Sequence, residues 1–288
     1  MNRNACWSLV ASVGAVLGAG AAFEPVQVEP VKPAATNPAA MAPAPVLREV
    51  FPGVRVDLAG RVVEFDGMVP VNAHTKADLK VFLETTVCGY DSKEHESLVV
   101  TKAKPSQVHA ALLMLGLKPG KPGAWKLEEK KWVGVPPSGD EVEVRFVVSN
   151  ADGTQREEDP ADWIVNIKDG KPLKAIASEA KWVFAGSKLV AKKPAARAPG
   201  EGSVPQGALV TPPPPPNPEA KAEPEFYVAD TEGTLVGLAS FGTETIGLTA
   251  MYNPDNDKEA PEWIASREKT PEIGTKVVVR VRAKKAGG

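Results

Sequence analysis

Val142-Glu143-Val144-Arg145-Phe146-Val147-Val148 is the stretch that decides the fold class. Val142, Val144, Phe146 and Val148 alternate with Glu143 and Arg145. A period of two sends successive side chains to opposite faces of a strand, so one face here is apolar and the other charged. That pattern belongs to a sheet with a core on one side and water on the other. Asn150-Ala151-Asp152-Gly153-Thr154 follows as a hairpin turn, and residues 155–157 read as its polar return strand.

Moving outward, the same period recurs. Val54, Val56 and Leu58 alternate with Arg55 and Asp57. Ala59-Gly60 turns the chain, and Val62, Val63 and Phe65 resume before Asp66-Gly67. Residues 69–71 are expected to extend the sheet, and His74 to lie in an exposed loop. Leu79, Val81, Leu83 and Val87 alternate, which predicts a strand over 78–87. Cys88 to Lys93 reads as a loop, and Leu98-Val99-Val100 within 97–101 as a short buried strand. Further along, 125–132 reads as an exposed strand or hairpin and 159–163 as a helical turn. Strands are expected at 164–167, 182–184, 226–228, 235–238, 245–250 and 277–281.

One segment breaks this pattern. Val108, Ala111, Leu112 and Leu115 recur at i, i+3, i+4 and i+7, the spacing of one helix face. Pro105 suits a first turn and Gly116 suits a C-terminal cap. The expected fold is therefore α+β: a sheet-dominated single domain with one principal helix at 105–115, flanked and interrupted by disordered Pro/Ala-rich segments.

Composition sets the boundaries. The chain has 288 residues, 43% of them hydrophobic, and a net charge of -2, so nothing in bulk points to nucleic acid or an anionic membrane. Arg3 precedes an uncharged apolar run from Ala5 to Ala22 that ends in small residues, the pattern of a signal peptide over 1–22. Residues 23–46 form a Pro/Ala tether too poor in large apolar groups to fold. The domain is expected over 47–191 and 226–283. Between them, 192–225 carries Pro212 to Pro216 in a row and reads as a disordered polyproline insertion. Once the signal is cleaved no membrane span is expected, and the mature protein is expected to be periplasmic or extracellular.

Chemistry-bearing residues gather in Cys88-Gly89-Tyr90-Asp91-Ser92-Lys93-Glu94-His95-Glu96-Ser97 and at His109. Cleavage of the signal removes Cys6 and leaves Cys88 unpaired. His95-Glu96 opens like a zinc-protease helix motif, but the second His would stand at Val99, so that reading fails. Cys88, His95 and His109 are a candidate metal set of thiolate and imidazoles suited to zinc or copper. Glu94, His95, Glu96 and Ser97 are candidate ligand-binding residues. No Gly-x-Ser-x-Gly turn and no nucleotide-binding glycine loop is present, so no catalytic residues are assigned. Glu157, Glu158, Asp159 and Asp162 read as a solvated loop. The run from Asn253 to Asp257 lacks the Gly and Glu of a calcium loop, whose places fall on Ala260 and Ser266.

Lys93-Glu94-His95-Glu96-Ser97-Leu98, Lys104-Pro105-Ser106, His109-Ala110-Ala111-Leu112-Leu113 and Leu115-Gly116-Leu117 resemble the YdjY-domain family of bacterial exported proteins. The resemblance continues at Trp182-Val183-Phe184-Ala185-Gly186-Ser187, at Tyr227 with Asp230 and Gly233, and at Gly274-Thr275-Lys276-Val277. It spans about 54–282 and implies no catalytic residues. An iron–sulfur role does not fit a mature chain with one cysteine, because such clusters take about four. The cofactor is unknown. The expected function is that of an exported envelope binding or accessory module without catalysis, its partner an unknown envelope protein or small ligand. The alternative is a metal-binding protein using Cys88, His95 and His109.

Overall fold

In the computed structural model, residues 46–70, 81–150, 152–191, 225–252 and 263–284 are described. The expected signal peptide, nearly all of the tether and of the Pro-rich insertion, His74 and the 253–257 loop lie outside them. The alternating stretch at 141–149 is a strand, as its pattern demands, and it belongs to a ring. Eight strands take part: β1 (Val62–Met68), β2 (Thr85–Gly89), β3 (Ser97–Thr101), β4 (Glu141–Ser149), β5 (Trp182–Phe184), β6 (Thr234–Gly237), β7 (Ile246–Leu248) and β8 (Lys276–Ala283). Their order is β1-β8-β4-β5-β7-β6-β2-β3, and β3 pairs back onto β1, so the sheet is a closed barrel. Closure removes the free edges that an open sheet exposes to aggregation.

Inward-facing residues make the core. Val63 and Phe65 on β1 stand opposite Val281 and Val279 on β8, which stand opposite Val144 and Phe146 on β4. All six are almost fully buried. At the seam between β1 and β3, Gly67 stands opposite Thr101, whose hydroxyl donates to the Asp66 carbonyl at 2.6 Å. A Cβ on Gly67 would lie 2.5 Å from Val99 Cγ1, so any larger residue here would force the seam to shift.

The outward face of the same strands is a lattice of alternating charge. Arg55, on the strand Val54–Asp57 beside β1, holds Asp66 through two bonds of 3.1 and 2.7 Å. Arg280 reaches Glu64 at 2.6 Å and Glu157 at 2.5 Å. Arg282 also holds Glu157, at 2.7 Å, and Glu143, at 3.1 Å. Glu157 stands beside Val147 on the edge strand Gln155–Glu158, so the arginines reach it across Val147. Val147 points outward and is nonetheless only 4% exposed.

The principal helix runs over Pro105–Met114, with Pro105 buried and Val108, Ala111 and Leu112 packed in the common core. Its last turn closes with Gly116 N–H on the Leu113 carbonyl and Leu117 N–H on the Leu112 carbonyl. This is a Schellman arrangement, with Gly116 at a φ of 76°. At the other end, the Asp230 carboxylate accepts from the Ser106 backbone N–H at 2.7 Å and from its hydroxyl at 2.6 Å. An anion there satisfies orphan donors and complements the helix dipole.

Two neighbouring pairs, β2/β3 and β6/β7, are parallel. Each is joined by a short crossover loop instead of the dozen or more residues such connections usually need. In each, one glutamate gathers the turn. Glu94 accepts from the Asp91 and Ser92 N–H groups, the latter at 3.0 Å. Glu244 accepts from the Phe241 and Gly242 N–H groups, the latter at 3.2 Å. The loops meet where Lys93 Nζ lies 4.2 Å from the centre of the Phe241 ring.

The sheet-dominated expectation holds, with few helices. Several details differ. Of the strand expected over 78–87, residues 78–80 lie outside the described residues and the rest contributes the strand Thr85–Gly89, so Cys88 and Gly89 belong to it and not to the following loop. His95 and Glu96 lie in a 3-10 turn, Glu94–Glu96, directly ahead of the strand at 97–101. The sheet stops at Met68, although Val69 still donates to the Thr275 carbonyl at 3.0 Å.

Candidate functional site

The residues singled out around Cys88 fall into different environments. Cys88 is fully buried in β2, and burial pushes its thiol pKa up, with the Ser97 and Ser92 hydroxyls opposing. Ser97 is buried too. Its hydroxyl bonds the Thr85 hydroxyl and donates to the Lys93 carbonyl at 2.7 Å. Glu94 is occupied by the turn amides. His95 faces water, its side chain 58% exposed and 3.3 Å from Glu96. Burial and the neighbouring Glu84 carboxylate push the Glu96 pKa up. Lys93 tempers this acidic pair by bonding Glu84 at 2.7 Å.

His109 lies elsewhere. Its Nδ1 is 3.0 Å from the Tyr227 hydroxyl, which donates to the Gly186 carbonyl at 3.0 Å and lies 3.0 Å from the Thr245 hydroxyl. A carbonyl can only accept, so the tyrosine proton goes to Gly186 and the histidine proton sits on Nδ1. The imidazole is edge-on to Phe184 at 4.8 Å and to Tyr227 at 5.3 Å. Burial pushes the His109 pKa below its ordinary value and that of Tyr227 above it. Both groups are therefore neutral at pH 7. Nearby, the Ser187 hydroxyl donates to the Thr243 carbonyl at 2.7 Å and accepts from Ala229 N–H at 3.2 Å. Ser106, His109, Phe184, Gly186, Ser187, Tyr227 and Asp230, distant in the chain, thus converge where the helix meets the barrel.

Cys88, His95 and His109 are not brought together. Among the described residues no group of three or more His, Cys, Asp or Glu is arranged to hold a metal ion. What the fold builds instead is a cleft of about 610 Å³ against the barrel's outer wall. Arg145, Lys174 and Lys269 line it with Glu157, Glu158, Asp159, Asp162 and Glu268. Asp159 caps the short helix Pro160–Trp163 by accepting from Ala161 N–H at 3.0 Å. It also lies 3.4 Å from Arg145 and 3.5 Å from Lys174. Lys174, on the short helix Leu173–Ile176, reaches Asp162 at 3.2 Å as well. The acidic run that reads as a solvated loop is therefore one wall of a mixed-charge concavity. Its basic wall comes from β4 and from distant segments, and no local pattern announces it. Thr245 carries no local signal for the same reason, and Tyr227 is marked in the sequence only by the family resemblance.

Among the described residues no helix is long and apolar enough to cross a membrane. Neither the curated proteins nor the solved structures contain a match to this chain. A family model described as the YdjY domain matches residues 54–282, which takes in all eight barrel strands but the last residue of β8. The chain belongs to the YdjY domain family.

Proposed function

We propose that this protein is an exported binding or accessory module of the bacterial envelope, acting without catalysis and taking its ligand in the mixed-charge cleft. The cleft carries the reading: it sets Arg145, Lys174 and Lys269 against five carboxylates in a space of about 610 Å³. Such a surface suits a polar ligand bearing both signs of charge, because each ligand group meets a fixed opposite charge. Export is supported by the apolar run after Arg3 and the Pro/Ala segment behind it.

Disaccharide-peptide fragments of the bacterial wall carry both amino and carboxylate groups and serve as the probe. Titrated into the isotope-labelled protein, they are expected to shift the amides of Gly170, Lys174, Ser266 and Lys269. Lys174→Glu is expected to abolish those shifts. Shifts that are absent, or that survive in the variant, would remove the cleft from consideration. Cell fractionation tests the location: the expected product is periplasmic or secreted, with a new N-terminus near Phe23. Full-length protein confined to the cytoplasm would defeat the envelope assignment.

A further inference from the structure

One hairpin stands apart from the barrel. Ala124–Glu128 and Lys131–Val135 pair only with each other, as a two-stranded sheet. An isolated two-stranded hairpin is marginal in water. Its base is held, since Trp125 Nε1 donates to the Ser240 carbonyl at 3.1 Å and Gly134 lies against Met251. Its tip is not. Glu129 and Lys130 turn the chain with φ of 46° and 66°, a conformation that favours Gly or Asn.

One pair further back, behind Glu128 and Lys131, Leu127 stands opposite Trp132, and the two are 62% and 60% exposed. Val133 and Val135 are exposed on the other face. Along the hairpin Lys126, Lys130 and Lys131 stand against Glu128 and Glu129, and Lys118 and Lys121 precede its base, in a chain whose net charge is -2. All five lysines are exposed.

We propose that this hairpin docks on the surface of an anionic lipid bilayer. Leu127 and Trp132 enter the headgroup boundary, where an aromatic ring with a polar N–H is favoured, and the lysines face lipid phosphates. Charge decides between occupants. A second copy would bring the same basic surface against itself, and lysines along the strands discourage strand addition by another protein. An anionic bilayer is complementary to the whole patch. The docking surface is separate from the mixed-charge cleft and does not depend on what the cleft binds.

Hydrogen exchange on the full chain gives a local readout that any binding by the N-terminal apolar run does not confuse. With vesicles of phosphatidylethanolamine and phosphatidylglycerol, amides 124–135 are expected to exchange several-fold more slowly, an effect that added salt weakens. The protection is expected to vanish in the double variant Leu127→Ser, Trp132→Ser and in the triple variant Lys126→Glu, Lys130→Glu, Lys131→Glu. Unchanged exchange in the barrel strands checks that both variants fold. Three results would each overturn the proposal: no protection at 124–135, equal protection by pure phosphatidylcholine, or protection that grows with protein concentration when no lipid is present.

Discussion

Gly67 and His109 show how much single positions carry. At Gly67 a methyl group would meet Val99 at 2.5 Å and the Val100 carbonyl oxygen at 3.1 Å, across the seam that closes the barrel. Gly67→Ala is expected to cost about 1–3 kcal/mol, the usual scale of overpacking, and to lower the urea midpoint without changing the slope. At His109 the expectation concerns pH. The unfolded chain takes up this proton near pH 6.5, whereas burial pushes the folded pKa lower. The folded state therefore keeps its full stability above about pH 6.5 and loses part of it as pH falls through the folded value. An imidazole titration by NMR is expected to place His109 below the ordinary histidine range. A midpoint at or above that range would contradict the hydrogen-bonded, desolvated ring. Neither role is visible in the primary structure. A glycine in a strand and a histidine beside a helix's apolar face are ordinary, and their partners lie far along the chain.

At the level of elements, alternation was a dependable guide wherever a strand has one wet face. β1, β4 and β8 are long and two-faced, and Val63/Phe65, Val144/Phe146 and Val279/Val281 mark them plainly. β2 was harder, since Thr85, Thr86, Cys88 and Gly89 are all unlike the β-branched apolar run that signals a buried strand. β5 and β7 have three residues each, too short for a period to establish itself. The candidate site was less legible than the fold. Glu94 and Ser97 look like a functional pair in one dimension and prove to be the fastenings of a crossover turn. The outer charge lattice yields a test of its own. The guanidiniums of Arg282 and Arg280 hold Glu157 down to about 2, against an ordinary value of 4.5. A depressed carboxylate stabilises the fold above pH 4.5, and that contribution drains away as pH falls toward 2. The group is partly solvated, so the loss is expected to be on the order of 1–2 kcal/mol, smaller than the shift alone implies. Acid titration of unfolding free energy for Glu157→Gln against the wild type isolates it. The variant is expected to start less stable at neutral pH and to show a shallower decline below pH 4.5.

For the molecule as a whole, what the chain's local pattern could not disclose is closure. The pairings that complete the ring join Gly67 to Thr101 and Val142 to Ala283, and contacts at such separations leave no periodic trace. The stem of the Pro-rich segment has a consequence that follows from this ring. Leu189–Ala191 and Glu225–Tyr227 pair antiparallel, with Ala191 opposite Glu225, so the two residues that flank 192–224 are neighbours. The strands before that segment and the strands after it are interleaved around the barrel: β8 separates β1 from β4, and β6 and β7 lie between β5 and β2. Continuity of the chain through 192–224 is thus dispensable for holding the domain together. Two pieces divided within that segment, produced in the same cell with a tag on one, are expected to purify together in equal amounts. They are expected to part only in denaturant, since neither piece can complete a barrel alone. Recovery of the tagged piece by itself, folded, would show that the strands do not interlock. In engineering terms the protein is a two-part lock whose joint is already marked in its sequence, a natural place to split a reporter or to splice in a second domain.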